Sequence, residues 1–308
     1  MIRVEKLTKR FGSLTAVDEL SFTVDRGDAL GFIGPNGAGK TTTIRMLATL
    51  LKPDGGSVTV NGYDIANAPE EVRASVGYMP DFFGVYDDMK VTEYLDFFAA
   101  AYRVPPQERP GLIKDVLELT DLTGKRNEYV DALSRGMKQR LCLAKTLVHD
   151  PQVLLLDEPA SGLDPRARIE IRELLKELCA MDKTILISSH ILTELSDLCN
   201  KVVIIEKGKL VYAGSTRDVG EQLEGGRRLV IRVADRLEEA CAVLSQCENV
   251  VNVSTVDGSI HAVFTGEPTS QHELLLALIN GGFIVQSLSE QDVDLEEVYM
   301  RLTRGIVS

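Results

Sequence analysis

The sequence predicts an α/β fold followed by a smaller α+β unit. Three observations carry this expectation. Strands and helices alternate from Ile2 to about Leu223, a glycine-rich turn at Gly34–Thr41 separates a strand from a helix, and a break at Glu224–Arg228 precedes a new order of elements. A chain of 308 residues, 44% of them hydrophobic, is long enough for two domains, each with its own core.

Along the chain, Leu20–Val24 alternates apolar and polar residues and ends at the turn Asp25-Arg26-Gly27-Asp28, as a half-buried strand would. The run Ala29–Ile33 reads as a buried strand. Thr41–Leu50 reads as a helix, with Ile44, Leu47, Leu50 and Leu51 at helical spacing. Ser57–Val60 before Asn61-Gly62 carries a hairpin signal. The segment 92–148 is mostly helical, broken by Pro105-Pro106, and forms a helical subdomain. Strands return at Val153–Asp157, Thr184–Ser188 and Lys201–Glu206. Between the first two, Ile171, Leu174, Leu175, Leu178 and Met181 mark one face of a helix.

The expected domains are therefore 1–223, a linker 224–228, and 229–308. From Arg227 onward there are six Arg, no Lys and twelve Asp or Glu, a net charge of −6. The elements expected here are a strand (Leu229–Val233), a helix (Leu237–Leu244) and a strand (Val250–Val256), then the hairpin signal Asp257-Gly258. A strand (Ile260–Phe264), a helix (Gln271–Asn280), a strand (Phe283–Leu288) and a last helix from Asp294 follow. That order matches a split βαβ, ferredoxin-like unit.

Composition excludes several classes. The formal net charge of −12 argues against nucleic acid as the main partner, because a phosphate backbone needs clustered Lys and Arg. Cys142, Cys179, Cys199, Cys241 and Cys247 form no CxxC pair and read as reduced residues. The first residues carry no apolar signal core, and the longest apolar run, Leu274–Ile279, is far short of a membrane span. A soluble, cytosolic protein is expected, with any membrane role supplied by a partner.

Two stretches carry the chemistry. In Gly34-Pro35-Asn36-Gly37-Ala38-Gly39-Lys40-Thr41, with Thr42 next, a glycine-rich turn between strand and helix brings backbone N–H groups against nucleotide phosphates. Lys40 would reach the terminal phosphate and Thr41 a magnesium ion. In Val153-Leu154-Leu155-Leu156-Asp157-Glu158, an apolar strand delivers Asp157 to the carboxyl edge of the sheet, suited to magnesium. Glu158 follows as a candidate base for the attacking water. An Asp-Glu pair before Pro159 can also be a simple helix cap. Ser134 and Gly136 open a helix whose free amides make an anion site, and ordinary capping is again the alternative.

With the phosphate loop placed, Asp131–Leu141 resembles the signature stretch of the ABC ATPases. It keeps Ser134 and Gly136 of that pattern and departs from it at Arg135 and Met137. The resemblance spans Ile2 to about Leu223 in the order phosphate loop, signature, Asp157-Glu158, Ser161-Gly162-Leu163-Asp164, and Ser188-Ser189-His190. It implies a P-loop ABC ATPase core with a mixed sheet and helical subdomain, binding ATP and Mg²⁺. It also implies His190 as a γ-phosphate sensor aiding Glu158. Ser134, Gly136 and Asp164 would act across a head-to-tail dimer, either a homodimer or a pairing with a second such ATPase.

Asp81 stands where the family commonly has Gln, as a metal ligand or as a plain loop residue. The aromatic residues Phe82, Phe83 and Tyr86 belong either to the core or to a groove where a permease docks. Phe11 occupies the place of an aromatic ring stacked on adenine, or is a buried strand residue. The ending Asp294–Thr303 resembles that of daunorubicin-resistance-like drug exporters, and Val298, Tyr299 and Leu302 are candidate contacts between two tails. The partner so implied is a separate integral-membrane permease, which would hold this subunit at the inner face of the cell membrane.

Overall fold

The computed structural model describes residues 1–81, 84, 86, 88–189, 192–216, 218–219, 225–291 and 295–303. The chain forms two compact units, Met1–Ala213 and Gly214–Ser308. This division lies about ten residues before the break read from the sequence at Glu224–Arg228 and falls inside a strand, Lys209–Ser215.

The first unit opens with β1 (Ile2–Phe11), β2 (Leu14–Val24), β3 (Ala29–Ile33), α1 (Lys40–Leu47), β4 (Gly55–Val60) and β5 (Tyr63–Asp64). It continues through α2 (Pro69–Ser75), β6 (Val76–Met79), α3 (Val91–Ala101), α4 (Arg109–Leu119), α5 (Arg135–Leu147), β7 (Val153–Asp157), α6 (Pro165–Ala180), β8 (Thr184–Ser189), α7 (Leu192–Ser196), β9 (Lys201–Glu206) and β10 (Lys209–Ser215).

Two sheets result. Strands β2-β1-β4-β5 form an antiparallel sheet, in which Asn61 and Gly62, both at positive φ, make the tight hairpin turn between β4 and β5. Strands β10-β9-β3-β8-β7-β6 form a second sheet, parallel from β9 to β6. Strands β3, β7 and β8 are buried at every residue, as expected of parallel strands covered on both faces. Parallel strands also place all their carboxyl ends on one edge. Residues 34, 81, 158 and 190 follow directly, or within two positions, after β3, β6, β7 and β8.

Two sequence expectations are corrected at helix ends. Helix α1 stops at Leu47, because Thr49 turns into the left-handed region (φ 60°), so Leu50 is 61% exposed instead of completing an apolar face. In α6 the residues Ile171, Leu174, Leu175 and Leu178 are buried, whereas Met181 sits beyond the last helical residue and is 58% exposed.

The second unit contains β11 (Arg227–Val233), α8 (Leu237–Leu244), β12 (Val250–Val256), β13 (Ser259–Phe264), α9 (Gln271–Asn280), β14 (Val285–Glu290) and α10 (Leu295–Thr303). The sheet order is β12-β13-β11-β14 with every pair antiparallel, the first and third strands of the unit lying at its centre. Leu229, Ile231, Ile260, Ala262 and Phe264 from the central strands share one core with Ala240 and Leu244 of α8 and Leu274 and Leu278 of α9. Phe283, expected to open the last strand, is instead buried in this core ahead of it. In α10 the side chain of Val298 is buried, which removes it as a contact between tails, and Glu297 pairs with Arg228 of β11 at 3.2 Å. Asp294 lies outside the described residues.

Candidate functional site

The phosphate loop is shaped by where a side chain cannot stand. A Cβ on Gly34 would lie 2.5 Å from the carbonyl oxygen of Ile205, and one on Gly39 would lie 2.5 Å from that of Ala16. Gly39 is also at φ +106° as the residue before α1, a conformation open to glycine at little cost. Between them Ala38 is buried; its N–H donates to Pro35 O at 3.1 Å and its carbonyl accepts from Gly208 N at 3.1 Å. Pro35, Asn36 and Gly37 are exposed. The first backbone bond into α1 runs from Thr43 N to Gly39 O at 2.9 Å. The N–H groups of Lys40, Thr41 and Thr42 therefore stand at the helix start with no carbonyl of their own helix to bond, which is the anion-binding arrangement of a helix amino terminus.

Lys40 is buried, and its ammonium folds back along the loop, donating to Gly34 O at 2.7 Å and Pro35 O at 3.4 Å. It also lies 3.8 Å from Glu158 Oε1. Burial pushes the Lys40 pKa down, while attraction to Glu158, Asp157 and Asp81 opposes the shift. One cation thus feels three carboxylates drawn from two segments far apart in sequence.

Asp157 closes β7 and is 1% exposed. Its Oδ1 accepts a hydrogen bond from Ser188 Oγ at 2.6 Å, and its Oδ2 is buried with no hydrogen-bond partner. A buried carboxylate oxygen left without a donor is costly unless something positive meets it, so this atom fits a magnesium ion. Among the described residues no cluster of three or more His, Cys, Asp or Glu could hold a metal alone. Magnesium bound with a nucleotide needs only one or two carboxylates plus phosphates and water, so the donor set is adequate.

Glu158 adopts φ 52°, an uncommon conformation for a residue with a side chain. Its N–H is held by Ser188, donating to the carbonyl at 3.1 Å and to Oγ at 3.1 Å. Ser188 thus touches both acidic residues, a role the sequence reading did not assign. The only hint was its place beside Ser189 and His190. Asp81 is exposed just after β6. His190, Phe82 and Phe83 lie outside the described residues, and Tyr86 packs against Phe97 with ring centroids 5.7 Å apart.

The remaining candidates lie apart from this cluster. Ser134 caps α5, its Oγ accepting from Met137 N at 3.3 Å, and Asp164 caps α6, its Oδ1 accepting from Ala167 N at 3.0 Å. The capping alternative is therefore real for Ser134, Asp164 caps as well, and both remain exposed. Gly136 stands against the first turn of α6, where a Cβ would be 3.5 Å from Ala167 Cβ. Gln139, also unassigned from sequence, is buried and donates from Nε2 to Pro159 O, tying α5 to the residue after Glu158. Phe11 is 49% exposed, which excludes the buried-strand alternative, and the Lys9 ammonium lies 5.5 Å from its ring centroid. From Phe11, paired with Leu14, strand β2 leads to Ala16, whose carbonyl abuts Gly39.

No helix among the described residues is long and apolar enough to cross a membrane. Residues 17–161 match the ABC transporter family. The daunorubicin resistance ATP-binding protein DrrA2 of Streptomyces coeruleorubidus is 33% identical over 98% of this chain and 94% of its own length. The Nod factor export ATP-binding protein I of Burkholderia lata is 35% identical over 98% and 96%. Among solved structures, an ATP-binding subunit of an ABC transporter superposes with a TM-score of 0.66 at 30% identity, covering 72% of this chain and 93% of that one. The ADP conformation of the ATP-binding cassette MJ1267 gives 0.64 at 26% identity, covering 70% and 91%. With a relative above 30% identity along nearly its whole length, and the phosphate loop, buried Asp157 and Glu158 gathered at one sheet edge, the chain belongs to the ABC transporter family as an ATP-binding subunit.

Proposed function

We propose that this chain hydrolyses Mg·ATP to drive export through a separate integral-membrane permease, and that it works as a head-to-tail dimer, with itself or with a second ATPase of the family. The observation that carries the catalytic part is the meeting of Lys40 and Glu158, 3.8 Å apart, at the start of α1 and beside buried Asp157. The loop from Gly34 to Thr42 cradles the phosphates with its backbone N–H groups, and Lys40 turns outward from its two loop carbonyls to the terminal phosphate. Glu158 accepts the proton of the attacking water, a contribution of ~10²- to 10⁴-fold for a well-placed base. Ser188 fixes the backbone from which Glu158 projects.

Magnesium neutralises phosphate charge when bound, and Thr41 Oγ1, Asp157 Oδ2 and Asp81 would hold it. His190 senses the γ-phosphate, and Phe11 offers its exposed face to adenine. Ser134, Gly136 and Asp164 engage the nucleotide of the partner subunit. The exposure of Ser134 and Asp164, each at the start of a helix, supports this reading.

Export is supported by the names of the relatives, drug resistance for one and Nod factor export for the other. The permease docks on the helical subdomain, where Met89, Phe97, Ala100, Ile113 and Leu117 line an apolar groove between α3 and α4 and Tyr86 extends the aromatic face. Bound there, the subunit lies at the inner face of the cell membrane. The second unit makes no contribution to the chemistry and acts on regulation or pairing.

The test is Glu158→Gln. The variant is expected to bind ATP as wild type does, to lose hydrolysis, and to accumulate as an ATP-bound dimer in size-exclusion chromatography. Hydrolysis within a few-fold of wild type removes Glu158 as the base.

A further inference from the structure

Arg135 stands in the signature turn where the resembled family has glycine, and its side chain crosses to the loop that follows Glu158. Nη2 donates to Ser161 O at 3.4 Å. The guanidinium fills the space a side chain at Gly162 would need: a Cβ there would lie 2.0 Å from Nη2 and 2.5 Å from Cζ. Gly162 is at φ +68°, so the loop is both bent for glycine and emptied for Arg135.

Two more side chains hold the same loop. One helical turn after Arg135, Gln139 donates to Pro159 O at 2.5 Å, and from α6 Arg168 Nε donates to Leu163 O at 2.9 Å. The carbonyls of residues 159, 161 and 163 are thus each taken by a side chain, two of them from the helix that Ser134 opens. Ser161 in turn donates its N–H to Glu158 O at 3.0 Å. A continuous path runs from the signature turn through Arg135 and Ser161 to the backbone of Glu158, which is itself in a strained conformation.

We infer that Arg135 is a positioning residue that couples the Ser134–Gly136 turn to Glu158 of the same chain. This rests on the reading above, in which that turn meets the partner's nucleotide while Glu158 serves the chain's own. A displacement of the turn on meeting phosphate moves Arg135, and Arg135 carries the Ser161 carbonyl with it. A glycine at 135 has no side chain to transmit this. The consequence is that each site hydrolyses fastest when the other is engaged.

The experiment is a double-mutant cycle on the full chain, measuring ATP hydrolysis against ATP concentration for Arg135→Ala, Gly162→Ala and the double variant, with Arg135→Lys alongside. Arg135→Ala is expected to lower kcat about tenfold while leaving KM within about twofold, and to bring the ATP dependence closer to non-cooperative. Arg135→Lys keeps a donor without the planar fork and recovers part of the loss. Gly162→Ala lowers kcat in the wild-type background, where it meets both the backbone angle and the guanidinium, and about tenfold less in Arg135→Ala, where only the backbone angle remains. Additive effects, or unchanged kcat and cooperativity in Arg135→Ala, overturn the inference. A raised KM with kcat unchanged overturns it too, placing Arg135 on the nucleotide instead. Should Gly162→Ala fail to fold, the Ala and Lys variants at exposed Arg135 decide the matter by the same kcat and cooperativity readouts. Glu158→Gln run in parallel separates the two levels: if it still hydrolyses ATP the catalytic reading fails, and if it does not while the cycle is additive, only the role of Arg135 fails.

Discussion

The central sheet of the first unit and the sheet of the second show how strand direction distributes chemistry. In the first, β3, β7 and β8 are buried along their whole length and run parallel, so their carboxyl ends form one edge on which Gly34 and Glu158 emerge together beside Ser189, the last residue of β8. In the second, all pairs are antiparallel and the edge strands β12 and β14 expose most of their residues. Neighbouring strands there point opposite ways, so the carboxyl ends divide between two edges, β11 and β12 at one and β13 and β14 at the other. A parallel sheet concentrates function because its connections return to the same side. An antiparallel one of this size is better suited to offering a surface.

The comparison can be broken most severely in the strand cores. Leu155→Ala in β7 removes a side chain buried on a covered strand and is expected to cost about 2–5 kcal/mol of stability. Val251→Ala on the exposed side of β12 is expected to change stability by less than about 0.5 kcal/mol. Urea denaturation of both variants measures the contrast, and equal losses would mean that burial does not separate the two sheets.

Next in size is Ser188→Ala, which strips a hydrogen bond from Asp157 and one from the Glu158 backbone. A hydrogen bond to a charged group is worth about 1.5–3 kcal/mol, so kcat is expected to fall about ten- to a hundredfold, with a raised magnesium requirement. Turnover and magnesium dependence like wild type would show that the sheet edge holds its carboxylates without this serine.

A smaller effect is expected at Asp81, which is exposed and touches the site through the field at Lys40. Asp81→Ala should raise the magnesium concentration for half-maximal hydrolysis a few-fold, and Asp81→Gln, matching the family's usual residue, should largely undo the change. If magnesium titrations of all three proteins coincide, Asp81 is a passive loop residue.

The smallest effect sharpens the comparison from the other side. A chain ending at Glu224 keeps every residue placed in the site, so its ATP binding and basal hydrolysis should match those of the full chain. If the shortened chain is folded by circular dichroism yet cannot bind ATP, the two units do not divide the labour in this way.

Much of this protein was legible before any tertiary information. Helices Leu237–Leu244 and Gln271–Asn280 and strands Val153–Asp157 and Val250–Val256 begin and end where the apolar periodicity and the turn residues place them. The phosphate loop was legible because its glycines are local demands, of backbone angle and of space, written at fixed spacing. What periodicity could not say is where a helix stops once the chain must turn, and Leu50 and Met181 continue their apolar stripes beyond the last helical residue and lie exposed. Nor could it bring Ser188 to Asp157. That contact requires β7 and β8 to lie side by side in the register that pairs residue 157 with residue 188, and register is set by sheet packing over the whole unit. The same holds for Gln139 and Arg135, whose partners at Pro159 and Ser161 exist only once α5 lies beside the loop before α6. The sequence by itself determined which chemical groups are present and the local turns that display them. Only the tertiary structure decided which carboxylate oxygen is left bare and which side chains hold the loop behind the base, because those depend on distances between segments that no spacing along the chain encodes.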